Sequence, residues 1–167
     1  VTVLPEHEVV VTDEAHELVD RVTGVATEEL TSGIVERAAA RCHRLAPEES
    51  ARLDEAAAAL SDVVTDLPSG QLSPLPTALV EVLSLVRDAA RATLGPMSSS
   101  SAAGGRPGAS DPAAADAEVE RKQARVAVEA VFDTAQRMLA GSADDVMWAA
   151  TEDRRGVILR VAPLNGP

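Results

Sequence analysis

The sequence predicts a mainly α protein with a small β part: a strand, four or five amphipathic helices, a flexible linker and a C-terminal β-hairpin. Three observations predict it. Apolar residues recur in alternating steps of four and three along several stretches, the signature of a helix with one buried face. Aromatic residues are nearly absent, with only Phe132 and Trp148 and no Tyr, so the apolar content is largely Ala, Val and Leu, which suits helix-on-helix packing. The last part of the chain then changes period, and its β-branched runs are separated by a short Gly-ended connection.

"VTVLPEHEVVVTD" opens as a Pro-punctuated loop and continues into an apolar run, Val9 to Thr12, of the kind a buried strand carries. From Asp13 the pattern turns helical, and Gly24 interrupts it. Thr27 followed by Glu28 and Glu29 reads as a fresh N-cap with acids in the first turn. Leu30, Ile34, Ala38, Cys42 and Leu45 then mark one apolar face. Pro47 suits the first position of a second helix, with Leu53, Ala57, Leu60, Val64 and Leu67 as its face. "LPSGQLSPLPT" is a Pro-rich connection. Thr77 is placed to cap a third helix, whose face is Leu79, Leu83, Val86, Ala90 and Leu94 and which Gly95-Pro96 should stop.

Residues 96–112 lack periodicity and are rich in Ser, Gly, Ala and Pro, as a flexible linker is. Asp111-Pro112 is placed to cap a last helix running to about Leu139, with Ala124, Val128, Val131, Ala135 and Met138 inward and Gly141 ending it. "DVMWAAT" and "GVILRVA" read as strands joined by "EDRRG", a length suited to a hairpin, with Trp148 expected beneath the helices. The long helical excursion between β segments suggests an insertion into a sheet-containing domain. The expected division is 1–23 as the end of that domain, 24–142 as the helical insertion and 143–167 as the returning hairpin.

The net charge of −12 argues against nucleic-acid binding over a broad surface, which needs clustered Lys and Arg. Three local basic stretches stand out: Arg37/Arg41/His43/Arg44, Arg121/Lys122/Arg125 and Arg154/Arg155. They are read first as solvated faces. The single Cys42, on an apolar helix face, cannot form an internal disulfide and is expected in the core; this fits a reducing, cytoplasmic setting. It also leaves this segment without a cysteine-built zinc or iron–sulfur site. His7 and His43 belong to no metal-ligand pattern. No apolar run is long enough to span a bilayer, so no membrane contact is expected. The chain starts at Val1 without Met and is expected to be an excised segment.

The stretch Asp13-Glu14-Ala15-His16, directly after the apolar run, carries the chemistry. Hydrolysis of a nucleoside triphosphate needs Mg²⁺ on the terminal phosphates and a water in line with the γ-phosphorus. Asp13 at a strand end can anchor Mg²⁺ through its water shell. Glu14 can then orient or deprotonate the attacking water. His16 can hydrogen-bond toward the γ-phosphate or a second motor element, and Ala15 leaves room for close packing. The same two acids would also suit an ordinary strand-to-helix junction, where they cap free N–H groups at the positive end of a helix dipole.

"LPEHEVVVTDEAHEL" resembles the second motor motif of the DinG/XPD family of superfamily 2 DNA helicases. "DVMWAATEDRRGVILRVAPLN" is similar to the segment by which that family's chain returns to the motor after a helical insertion, the arch. The resemblance implies ATP and Mg²⁺ as cofactors, with Asp13 on the Mg²⁺ side, Glu14 as catalytic base and nucleotide contact, and His16 as the coupling residue. It implies unwinding of DNA, 5′ to 3′, with single-stranded DNA and the rest of the motor as partners; the oligomeric state is left open, with a monomer expected. The phosphate-binding loop GxxxxGK[ST] is absent, so the segment alone is expected to be inactive. Iron–sulfur ligands, where the family has them, precede the box and lie outside this sequence. "RATLG", Arg91 to Gly95, is only superficially like a later motor motif, because it ends an amphipathic helix.

Two rivals differ in kind. A DEAH RNA helicase of the spliceosomal type should carry its third motif within a few tens of residues of the box, and none follows. A non-enzymatic helical interaction module with an accidental DEAH match would explain the acidity and the helices. It would leave the strand before the box and the hairpin unexplained.

Overall fold

The computed structural model describes residues 27–99 and 112–164. Four helices and a four-stranded antiparallel sheet account for them, in agreement with the mainly α, small β expectation. In chain order these are β1 (Glu28–Leu30), α1 (Ser32–Cys42), α2 (Pro47–Thr65), β2 (Gly70–Gln71), α3 (Thr77–Ser99), α4 (Pro112–Ala140), β3 (Asp145–Glu152) and β4 (Gly156–Pro163). Each helix packs on the next, and α1 closes back onto α4.

The four-and-three steps in the sequence fall on the core. Leu53, Ala57 and Leu60 of α2, and Leu79, Leu83, Val86 and Ala90 of α3, are fully buried. Ala124, Val128, Val131, Ala135 and Met138 do the same for α4. α1 departs in detail: Val35 and Ala39 join Ala38 and Cys42 inside, whereas Ile34 and Leu45 are only partly buried. Small residues at 38 and 39 let α1 lie close to its neighbours. Pro47 opens α2 as expected, since its missing N–H is one that a helix start leaves unpaired anyway. Gly141 ends α4 with φ +55°, a left-handed conformation that costs glycine little.

Thr27-Glu28-Glu29 does not start a helix. Glu28 and Glu29 belong to β1, which pairs with β4 in the register Glu28 to Val161 and Leu30 to Leu159. Thr31 is the actual N-cap: its backbone is extended and its hydroxyl accepts from the Ile34 N–H at 3.1 Å. Strand pairing, together with arginines on both carboxylates, outweighs the weak preference of acids for a first helical turn.

Gly95-Pro96 likewise does not stop α3, which runs on to Ser99 with Pro96 inside it. "RATLG" therefore lies within the helix, and Gly95 is no cap. Thr93, fully buried, donates to the Ala89 carbonyl at 2.9 Å. One turn on, Met97 is buried and its sulfur lies 3.9 Å from the Cys42 Sγ. Packing of this last turn against α1 offsets the hydrogen bond that proline removes. The expected linker at 96–112 is helical over 96–99 and from Pro112, and residues 100–111 lie outside the described residues.

The hairpin follows expectation, with β3 and β4 paired from Asp145–Pro163 to Glu152–Gly156. The sheet order β1-β4-β3-β2 places this hairpin at the centre. The connection read as merely Pro-rich also adds β2, where Gly70 and Gln71 pair with Ala149 and Trp148. Met147, Ala149, Leu159, Val161 and Leu30 share one cluster with the helical core residues. Strand alternation then puts Trp148 on the other face of the sheet, opposite Arg160, and not beneath the helices. Its half-burial there agrees.

Candidate functional site

The residues singled out for chemistry, Asp13, Glu14 and His16, lie outside the described residues, as does the strand expected at 9–12. β1 begins twelve residues beyond His16. Among the described residues, no three His, Cys, Asp or Glu side chains converge in a way that could hold a metal ion. No described helix is long and apolar enough to cross a membrane.

Two arginine-centred networks hold the faces of the sheet. On the helix side, Arg137 near the end of α4 makes two hydrogen bonds to Asp145, at 3.1 and 2.7 Å, and one to Glu28 at 2.8 Å. One side chain thus ties α4 to β1 and β3, strands at two different positions in the sheet. On the other face, Arg160 of β4 reaches Glu29 at 2.8 Å and Glu152 at 2.7 Å. Arg155 in the hairpin turn also donates to Glu29, at 2.7 Å. Of the Arg154/Arg155 stretch, Arg155 therefore has a structural role. The arginine hydrogen bonds hold the Asp145 and Glu29 carboxyls below the usual carboxylate range, through Arg137 for the first and through Arg155 and then Arg160 for the second.

These geometries tie helix, strands and hairpin turn together. Arg137→Met is expected to cost about 1.5–3 kcal/mol, because it strands the mostly buried carboxylate of Asp145 without its charged partner. A carboxylate with a depressed folded-state pKa stabilises fully above its unfolded value, about 4, and loses that contribution as pH falls through the folded value. The deficit of Arg137→Met should therefore be largest near neutral pH and shrink below about pH 4. Urea midpoints measured from pH 7 to pH 3 check this, and a deficit independent of pH would contradict it.

Cys42 is buried as expected, and burial pushes its thiol up to about 11, so it is inert packing and not a nucleophile. His43 sits at the end of α1, with its Nδ1 3.4 Å from the Ser50 hydroxyl. The sequence-level reading missed Arg137 and Arg160 as organising residues. The available signal was only a lone basic residue near a helix end and another in an apolar strand.

The structure also brings together two of the basic stretches. Arg41 on α1 and Lys122 on α4, 81 positions apart, line the same shallow hollow of about 360 Å³. An adjoining hollow of about 510 Å³ shares Arg41 and adds His43, Arg44 and Glu120.

A 74-residue stretch of the chain is 49% identical to the ATP-dependent helicase DinG of Mycobacterium tuberculosis strain H37Rv, and the same holds for that of Mycobacterium bovis strain AF2122/97. The match takes in 44% of this chain but only 11% of each relative's length. No protein-family model matches the chain, and no solved structure does. The chain is thus similar to a short part of each of these helicases and spans only about a tenth of their length.

Proposed function

We propose that this chain is a segment of an ATP-dependent DNA helicase, running from the DEAH box through a helical arch and back to the motor. The observation that carries the reading is the 49% identity over 74 residues to proteins described as ATP-dependent helicase DinG. The predicted strand before Asp13, the long helical excursion and the returning hairpin support it.

In this reading Asp13 holds Mg²⁺ through its water shell, and Glu14 takes the proton of the attacking water while contacting the nucleotide. His16 hydrogen-bonds toward the γ-phosphate or toward another motor motif and couples the nucleotide state to movement. Bound Mg²⁺ supplies charge neutralisation on the terminal phosphates. The phosphate-binding loop and the remaining motor motifs come from elsewhere in the protein, so the segment alone hydrolyses no ATP. Single-stranded DNA is the partner of the whole motor, and translocation runs 5′ to 3′.

The helical arch acts as a steric gate, with few strong DNA contacts. The chain's net charge of −12 and its near absence of aromatic stacking platforms argue for this. The isolated segment is accordingly expected to show no saturable binding of oligo(dT) at micromolar concentrations in physiological salt. Tight binding in a filter or anisotropy assay would sink the gate reading. The helicase reading itself is tested by ATP hydrolysis of the full-length protein, with and without single-stranded DNA, in wild type and Glu14→Gln.

A further inference from the structure

α4 carries more apolar surface than its core face requires. The stripe Ala124, Val128, Val131, Ala135 and Met138 is buried in the bundle. A second set, Val119, Lys122, Gln123 and Val126, lies at spacings of three, four and seven on another face. Val119 and Val126 are 54% and 57% exposed. Together with Arg41 of α1 they line the open hollow of about 360 Å³.

The charges around this hollow are uneven. Elsewhere on α4, Arg125 is paired with Glu129 and Arg121 with Glu118. In the adjoining hollow Arg44 approaches Glu120 to 3.8 Å, with both side chains largely exposed. Arg41 and Lys122 are exposed and have no carboxylate partner among the described residues. In a chain of net charge −12, two cations without a carboxylate partner among the described residues, flanking two exposed valines, form a local surface of opposite character.

We propose that this groove between α1 and α4 docks an acidic segment of a partner protein, one that seats an aliphatic or aromatic side chain on Val119 and Val126 while its carboxylates meet Arg41 and Lys122. A nucleic acid would use the cations but leave the valines without a role, because phosphate contact needs no apolar floor. An amphipathic acidic peptide uses both, and the spacing on α4 matches helical or extended side-chain anchors. The small footprint makes this a weak, reversible contact. The proposal does not depend on the ATPase reading.

The test is an anisotropy titration of the 167-residue chain into a short fluorescein-labelled peptide of alternating Asp and Leu pairs. Two double variants are compared, Arg41→Glu with Lys122→Glu and Val119→Ser with Val126→Ser. All four positions are exposed, and circular dichroism checks that each variant keeps its helices. Saturable binding is expected, with both double variants weakened at least about tenfold, and a probe with Ser in place of Leu weakened as much.

Absence of saturable binding overturns the proposal, and so does binding that ignores the valines. Oligo(dT) binding as tight as the peptide and lost in the charge variant would make the groove a nucleic-acid contact instead. Self-association of the chain that both double variants abolish would make the occupant a second copy.

Discussion

Glu14→Gln in the full-length protein is expected to lower DNA-stimulated ATP hydrolysis by about 10²–10⁴-fold, the usual contribution of a positioned general base. Gln keeps the size and hydrogen-bonding capacity of Glu but cannot take a proton. ATP affinity should therefore hold while turnover fails. That split separates a catalytic role from a structural one: a merely capping Glu14 would change neither by more than a small factor. Asp13→Asn should instead weaken Mg²⁺-dependent nucleotide binding. If hydrolysis is absent, or indifferent to Glu14→Gln, the box is only a capped strand-to-helix turn, and a helical interaction module becomes the better account of the chain.

Leu83→Ala should destabilise the described fold by about 2.7–5 kcal/mol, the range for emptying a fully buried leucine site. Leu83 has no exposed surface and sits in α3, the helix that packs against both α2 and α4. Truncation there opens a void at the middle of the bundle, where no single helix can shift inward without losing contact on its other side. An exposed leucine on the same helix, Leu85, is 49% accessible, and its replacement by Ala should stay within about 0.5 kcal/mol. Urea denaturation of both variants reads the contrast. Equal small effects would mean that the bundle relaxes into the space and that its core is not closely packed.

The adjacency of these residues in the bundle also bears on the two arginine networks. α4 meets the sheet through Arg137 and not through a continuous apolar seam, because Glu28 and Asp145 occupy the helix-facing positions at that end of the sheet. Further along, Leu30, Ala149 and Leu159 complete the same face with apolar contact. The junction is thus part ion pair and part core. That mixture explains why its stability should depend on pH in the acid range although, among the described residues, no carboxylate is buried in the bundle core.

Much of the architecture is readable without coordinates. The helical faces on α2, α3 and α4, the Pro47 start, the Gly141 stop and the terminal hairpin all follow from local rules: period, proline and glycine conformations, and turn length. Each depends on residues within one or two turns of each other, so the sequence alone determined them. It also supplied the Asp13-Glu14-Ala15-His16 pattern, whose chemistry depends on residue type and order. What tertiary structure decided is where local preference was nearly balanced. Glu28 and Glu29 could open a helix, yet pairing with β4 and arginines from 109 and 131 positions away make them a strand. Gly95-Pro96 could end α3, yet Met97 packing near Cys42 carries the helix past them. Trp148 could have gone under the helices, yet strand register turned it outward, and the meeting of Arg41 with Val119 and Lys122 exists only once α1 closes on α4. Register and helix pairing join residues far apart in the chain, and contacts of that kind leave no trace in a local pattern.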